Sequence, residues 1–273
     1  MHSESARIKT VLLDMDGVLW RGHQPLLDIE GLLTGFGRLG CQVYCVTNNS
    51  TKTVTEYLER LAGFGASLNE EQVITSSEAT GAYLAEHFPS GSKVFVLGEE
   101  GLRQTIEEYG FDLVYAADDQ EVRAVIVGLD RDFLYNDLNQ AVHCIRRGAQ
   151  FIGTNPDRTI PTPNGPAPGA GAIIEAIETS CGLKALMIGK PSPSLYQLAL
   201  ARSGSAPEET LMIGDRLETD ILGAQRLAIR TGLVLSGIAT RNEASNWVPR
   251  VDIIAADAME ILEELKANDG KLL

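Results

Sequence analysis

Asp14-Met-Asp16-Gly17 follows directly on the apolar run Val11-Leu12-Leu13. The run has the character of a short strand buried on both faces of a parallel sheet. In extended backbone, residues i and i+2 project to the same side, so Asp14 and Asp16 can address one site. Gly17 then allows a sharp turn. Two carboxylates side by side and out of water repel each other unless a cation or a shared proton intervenes. The pair therefore points to a divalent metal, with Mg²⁺ the natural partner of hard oxygen ligands. An acidic strand-end turn facing solvent would read the same over these four residues. The rest of the chain separates the two readings.

Three further segments carry what a metal-bound carboxylate pair would need to handle phosphate. Val43-Tyr44-Cys45-Val46 ends in Thr47-Asn48-Asn49-Ser50, a cluster of hydroxyls and amides. Met187-Ile188 runs into Gly189-Lys190-Pro191, and Leu211-Met212-Ile213 runs into Gly214-Asp215-Arg216, with Asp220 five residues after Asp215. Ligands of open parallel α/β sheets bind outside the carboxyl ends of the strands. Four strand ends there would offer a nucleophile, a hydroxyl donor, a fixed cation and a metal-binding acid. Each segment alone has a plainer explanation. Thr47 and Ser50 suit helix caps, Lys190 suits a solvated turn and Asp215 suits a turn after glycine. The conjunction, in this order and with each segment ending an apolar run, favours a site.

Asp14-x-Asp16, Thr47, Lys190 and Gly214-Asp215-x-x-x-x-Asp220 resemble the four ordered motifs of the haloacid dehalogenase-like (HAD) hydrolase superfamily. Asp14-Met-Asp16-Gly17-Val18-Leu19-Trp20-Arg21-Gly22, Thr47-Asn48-Asn49-Ser50, Thr154-Asn155-Pro156-Asp157 and Gly189-Lys190-Pro191-Ser192-Pro193 resemble its class IIA branch, the NagD-like or 4-nitrophenylphosphatase-like phosphatases. The likeness runs from about Lys9 to about Leu265. It implies an α/β fold with a Rossmann-like parallel sheet core and an inserted α/β cap domain.

The activity expected is that of a Mg²⁺-dependent phosphomonoesterase acting on small organic phosphate esters of the sugar phosphate, phosphoglycolate or nucleotide type. Asp14 would attack phosphorus and form an aspartyl-phosphate. Asp16 would protonate the leaving oxygen and then deprotonate the hydrolytic water. Asp14, the backbone carbonyl of Asp16 and Asp215 are the expected Mg²⁺ ligands, with Asp220 better placed as an outer-shell acid that orients a bound water or Lys190, direct ligation by Asp220 being left open. Thr47, Asn48 and Lys190 would hold the phosphoryl oxygens. An acid at position 16 sets the chain apart from the dehalogenase branch and from the ion-pumping ATPases. The alternatives from other classes are a phospho-accepting regulatory module and a phosphate-ester binding protein without efficient turnover. The first class is far shorter and lacks a cap. The second has no need of a general acid.

Composition agrees. The chain has 273 residues, 44% of them hydrophobic, and a net charge of −14. That balance argues against nucleic acid and anionic membrane surfaces as partners, so the expected partner is a small-molecule phosphate ester. A homodimer is left open. No apolar stretch suits a membrane span, and Met1 to Lys9 lacks the apolar core of a signal peptide. Cys41, Cys45, Cys144 and Cys181 are scattered, as are His2, His23, His87 and His143. Buried free thiols in a reducing cytoplasm are expected, and no histidine is assigned to a metal.

Strands and helices alternate along the chain. Asp14 and Thr47 are 33 positions apart and Lys190 and Asp215 are 25 apart, each one strand–helix–strand unit. Thr47 to Lys190 spans 143 positions, which leaves about a hundred residues beyond one crossover and its helices, the size of a small domain. Within that stretch Val94–Leu97, Ala124–Val127 and Phe151–Ile152 read as strands, and Leu102–Tyr109 and Leu134–Arg147 as helices. The division expected is core 1–80, cap 81–183 and core 184–273. Gly98-Glu-Glu-Gly101 reads as a surface loop, and Pro166–Gly171 as a turn into a helix over Ala172–Thr179. No phosphate-binding P-loop or dinucleotide fingerprint occurs. By the resemblance, selectivity belongs to the cap loop of about Asn155 to Pro161. There Asn155 and Arg158 are the candidate substrate contacts, Arg158 for a second anionic group. A solvated loop arginine is the other reading of Arg158.

Overall fold

The computed structural model describes residues 6–115, 121–162 and 165–272; His2 and the rest of 1–5 lie outside them. The chain forms two compact units. One comprises Met1–Thr47, Val54–Ile74 and Leu195–Leu273, and the other Asn48–Thr53 and Thr75–Ser194.

The first unit is built on a six-stranded sheet. Its order is Ile253–Ala255, Arg230–Val234, Thr210–Gly214, Thr10–Leu13, Gln42–Thr47 and Val73–Thr75. Thr10–Leu13 is central and pairs in parallel with both Thr210–Gly214 and Gln42–Thr47. All four of its residues are fully buried, which is why Val11–Leu13 is apolar without alternation. Val11, Leu13, Leu211 and Ile213 pack in one core with Leu32 and Phe36 of the helix Ile29–Arg38 and Ile261, Leu262 and Leu265 of the helix Ala258–Ala267. Each fully buried aliphatic side chain of this kind contributes about 1.5–3 kcal/mol. Both helices begin on an aspartate cap. Asp28 accepts from Gly31 N–H at 3.0 Å, and Asp257 from Met259 and Glu260 at 2.9 and 3.1 Å.

The second unit has its own parallel sheet, in the order Leu186–Met187, Gln150–Gly153, Ala124–Val127, Lys93–Leu97, Asp112–Val114. Phe95, Val125 and Phe151 pack there against Ile174 and Ile177 of the helix Ala170–Cys181. This is the inserted α/β cap. The units divide between Ile74 and Thr75 and between Ser194 and Leu195. Gly81, read as the start of the insertion, lies inside the helix Ser76–His87.

Three local expectations are corrected. The strand before Lys190 pairs with Gln150–Gly153 in the cap sheet, so three of the four motif strands, not four, share the core sheet. Ile188 and Gly189 N–H continue that pairing to Gly153 and Thr154 carbonyls at 3.0 and 2.8 Å. Glu100 and Gly101 open the helix Glu100–Glu108 and are not loop. Gly165–Pro168 is a strand paired antiparallel with Thr159–Thr162, and the helix starts at Ala170. The glycines after that hairpin permit close backbone approach. A Cβ on Gly169 would stand 2.3 Å from Asp157 O, and one on Gly171 2.4 Å from Pro156 O.

Among the described residues no helix is long and apolar enough to cross a membrane. All four cysteines are free thiols.

Candidate active site

Asp14 stands where the central core strand ends, and its N–H still donates to Ile213 O at 2.9 Å. The neighbouring strands end at Thr47 and at Gly214-Asp215, so Thr47 and Asp215 flank Asp14 at the carboxyl edge of one sheet. Asp14, Asp215 and Asp220 are all buried, and a carboxylate oxygen from each lies within 4.8 Å of the others. The set is short-range, oxygen-only and anionic, which fits a hard divalent cation. Without a cation or protons, three buried carboxylates so close would destabilise one another.

Local structure explains how Asp220 joins the group. Leu217–Ile221 is a π-helical turn, a widening often found at functional sites. Arg216 N–H donates to Asp220 Oδ2 at 3.1 Å. Beneath the turn, the hydroxyl of the fully buried Tyr196 donates to the carbonyls of Thr219 and Asp220 at 3.1 and 2.9 Å. Burial, then Asp220 and Asp14, pushes the Tyr196 phenol well above its usual range. Burial and the Asp14 charge likewise push the Cys45 thiol up to about 12. Both groups stay neutral beside the acids and add no further negative charge.

Asp215 Oδ2 accepts from Ile238 N–H at 2.8 Å, and its carbonyl from Ala239 N–H at 3.0 Å. Two glycines close around its carboxylate. A Cβ on Gly17, which has φ +93°, would lie 2.4 Å from Oδ2, and one on Gly237 only 1.9 Å from it. The segment Ser236–Ala239 was missed in the sequence. Its one signal is a glycine soon after the strand Arg230–Val234.

Asp16 is exposed where Asp14 is buried, and its carboxylate is not in the trio. The alternation expected of Asp14 and Asp16 is interrupted by a turn, in which Met15 O accepts from the N–H groups of Val18, Leu19 and Trp20.

In the cap unit, Asn48, Asn155 and Lys190 are brought together. Asn48 Oδ1 accepts from Lys190 N–H at 2.7 Å while Asn48 Nδ2 donates to Lys190 O at 2.9 Å. Asn155 Nδ2 donates to Asn48 O at 2.8 Å. Lys190 is almost completely buried. The amides of Asn48 and Asn155 thus hold backbone, and Asn48 specifically fixes the peptide that carries the lysine. Arg158 forks onto Glu175, with Nε at 2.9 Å and Nη2 at 2.7 Å, and remains largely exposed.

A parallel sheet that gathers buried carboxylates beyond its strand ends, with a second α/β unit inserted in the chain, places the protein among α/β proteins that bind ligands at the sheet edge. Residues 11–112 match the family described as haloacid dehalogenase-like hydrolase, and residues 187–261 the family described as HAD-hydrolase-like. The 5'-nucleotidase YutF of Bacillus subtilis is 34% identical over 87% of this chain and 91% of its own. NagD from Escherichia coli superposes with a TM-score of 0.84 at 31% identity, covering 93% of this chain and 98% of its own. The glycerol phosphate phosphatase Rv1692 from Mycobacterium tuberculosis, solved in complex with magnesium, has a TM-score of 0.85 at 31% identity, over 93% and 76%. The chain belongs to the haloacid dehalogenase-like hydrolases, in the class IIA NagD-like branch, and is a phosphatase.

Proposed function

We propose that the protein is a Mg²⁺-dependent phosphomonoesterase that hydrolyses small organic phosphate esters through phospho-Asp14. The observation that carries the reading is the buried trio Asp14, Asp215 and Asp220. With Asp16 contributing its backbone carbonyl, these residues would hold the metal. When bound, Mg²⁺ neutralises the carboxylates and polarises a phosphoryl oxygen.

An Asp14 carboxylate oxygen bonds to phosphorus as the ester P–O bond breaks, and Asp16 delivers a proton to the departing oxygen. Asp16, now a carboxylate, takes a proton from water. That water bonds to phosphorus, the Asp14–phosphorus bond breaks, and inorganic phosphate leaves. The exposure of Asp16 supports this role, since it must meet both leaving group and water. The reading gives the phosphoryl oxygens to Thr47 and Lys190. For Lys190 the support is its burial and the Asn48 clamp on its backbone. Asn48 acts in this reading through Lys190. Asn155 and Arg158 remain cap candidates, Arg158 only on release from Glu175. The named relatives act on a nucleotide and on glycerol phosphate, which supports a small ester without selecting one. Free thiols support a cytoplasmic setting.

A panel of phosphate esters assayed with Mg²⁺ and with a chelator tests the proposal. Turnover should vanish in EDTA and return with Mg²⁺, and full activity in EDTA would end it. A second expectation concerns Gly237, whose φ any residue can adopt but whose Cβ would strike Asp215. Gly237→Ala should weaken Mg²⁺ binding by roughly 10–100-fold, the scale of disturbed support around metal ligands. Calorimetric titration measures this directly, and unchanged affinity would show that the Asp215 carboxylate is not a ligand.

A further inference from the structure

The turn that carries Asp16 has two anchors. On one side Ser236 Oγ donates to Gly17 O at 2.7 Å, and Arg21 Nη2 reaches Ser236 O at 2.6 Å. On the other, residues 16–22 are organised around Trp20. Its carbonyl accepts from Gly17 N–H at 2.8 Å, Asp16 forms an isolated bridge with it, and its indole is fully buried. Tyr57 stacks on that indole with centroids 6.4 Å apart and planes 10° apart, and Phe64 lies 6.0 Å away, tilted by 33°.

Arg60, from the same helix Val54–Gly63 as Tyr57, completes this anchor. Its guanidinium lies over the Trp20 ring, 3.9 Å from the centroid, and donates to Gly22 O. A leucine could cover the indole as well, but a planar guanidinium both stacks on the ring and donates to a carbonyl. It thereby grips both ends of the Trp20–Gly22 stretch. Burial lowers the Arg60 pKa, while Asp16 acts in the opposite sense, so the two charges sense each other.

We infer that Arg60 is a positioning residue for Asp16, clasping the Asp16–Gly22 turn through Trp20 and Gly22 and thereby holding the Asp16 carboxylate where it exchanges protons. The inference rests on the proposed acid–base role of Asp16. Arg60 touches no reacting atom in it.

Its test compares Arg60→Ala, Arg60→Lys, Asp16→Asn and the double variant Arg60→Ala/Asp16→Asn on glycerol phosphate and on nitrophenyl phosphate, with circular dichroism to verify folding. An alkoxide needs a proton to leave and nitrophenolate does not. Arg60→Ala should lower kcat for glycerol phosphate by roughly 10–100-fold with KM little changed, and should slow the first step on nitrophenyl phosphate far less. Arg60→Lys should recover part of the loss, since an ammonium can still sit over the ring. In the double variant the Arg60 change should cost no more than Asp16→Asn alone, as expected of residues acting through one group. Equal losses on both esters, a rise in KM alone, or full additivity would overturn the positioning role. If Asp16→Asn shows the leaving-group split and Arg60→Ala does not, only this inference fails. If Asp16→Asn itself shows no split, the acid–base reading falls and this one with it.

Discussion

Asp14→Asn should remove turnover by at least roughly 10⁴-fold, the scale on which enzymes lose activity with their nucleophile. The amide is nearly the same size as the carboxylate but has no anionic oxygen with which to bond to phosphorus. The fold should survive, because the main-chain bond from Asp14 N–H to Ile213 O does not involve the side chain, and the strand before it is held on both sides. The variant also takes one charge from the buried trio. The rise in melting temperature that Mg²⁺ gives the native protein should therefore shrink, since stabilisation by a ligand follows its affinity. Rapid-quench trapping should find an acid-stable, base-labile phosphoryl group in the native protein and none in Asp14→Asn. Near-native turnover by the variant, or a phosphoryl group found on another residue, would rule out the aspartyl-phosphate route.

Asp16→Asn should divide substrates by leaving group. In this role Asp16 carries a proton when the alkoxide leaves and is a carboxylate for the water step. With an alkyl phosphate the variant should be slower by roughly 10²–10⁴-fold, the usual contribution of a positioned acid–base group. With nitrophenyl phosphate the first step needs no proton, so phosphorylation of Asp14 should persist. Hydrolysis of phospho-Asp14 still needs the base, so the intermediate should accumulate. A burst of nitrophenolate followed by slow turnover is the expected trace. Equal slowing of both esters with no burst would make Asp16 a structural residue. The different settings of the two acids, one buried and one exposed, make this division of labour physically reasonable.

Much of this was legible in the residues. The strands at Val11–Leu13, Val43–Val46 and Leu211–Ile213 were readable because a strand buried on both faces must be apolar throughout. An acid or hydroxyl just past such a run then stands at the sheet edge where ligands bind. The cap was legible as a second run of alternating elements where a single crossover needed few residues. Chain order alone could not tell which sheet a short strand joins. Leu186–Met187 lies in the cap sheet because the backbone donors from Ile188 and Gly189 find carbonyls in Gly153 and Thr154, and two residues carry too little pattern to announce that. Other features were decided by tertiary contact alone. Asn48 reads as a substrate amide but is engaged by the two backbone atoms of Lys190, 142 residues away. Arg158 reads either as an anion contact or as a solvated loop arginine, and it meets Glu175 across a hairpin whose second strand reads as a turn. Gly237 and Tyr196 support the acidic trio from segments distant in the chain, and Arg60 reaches the Asp16 turn from another helix. The sequence by itself determined the fold class and named the carboxylates it offers for chemistry, because periodicity and strand-end chemistry are local. Only the tertiary structure decided which side chains serve other residues, because that depends on hydrogen bonds and close contacts between segments far apart in the chain.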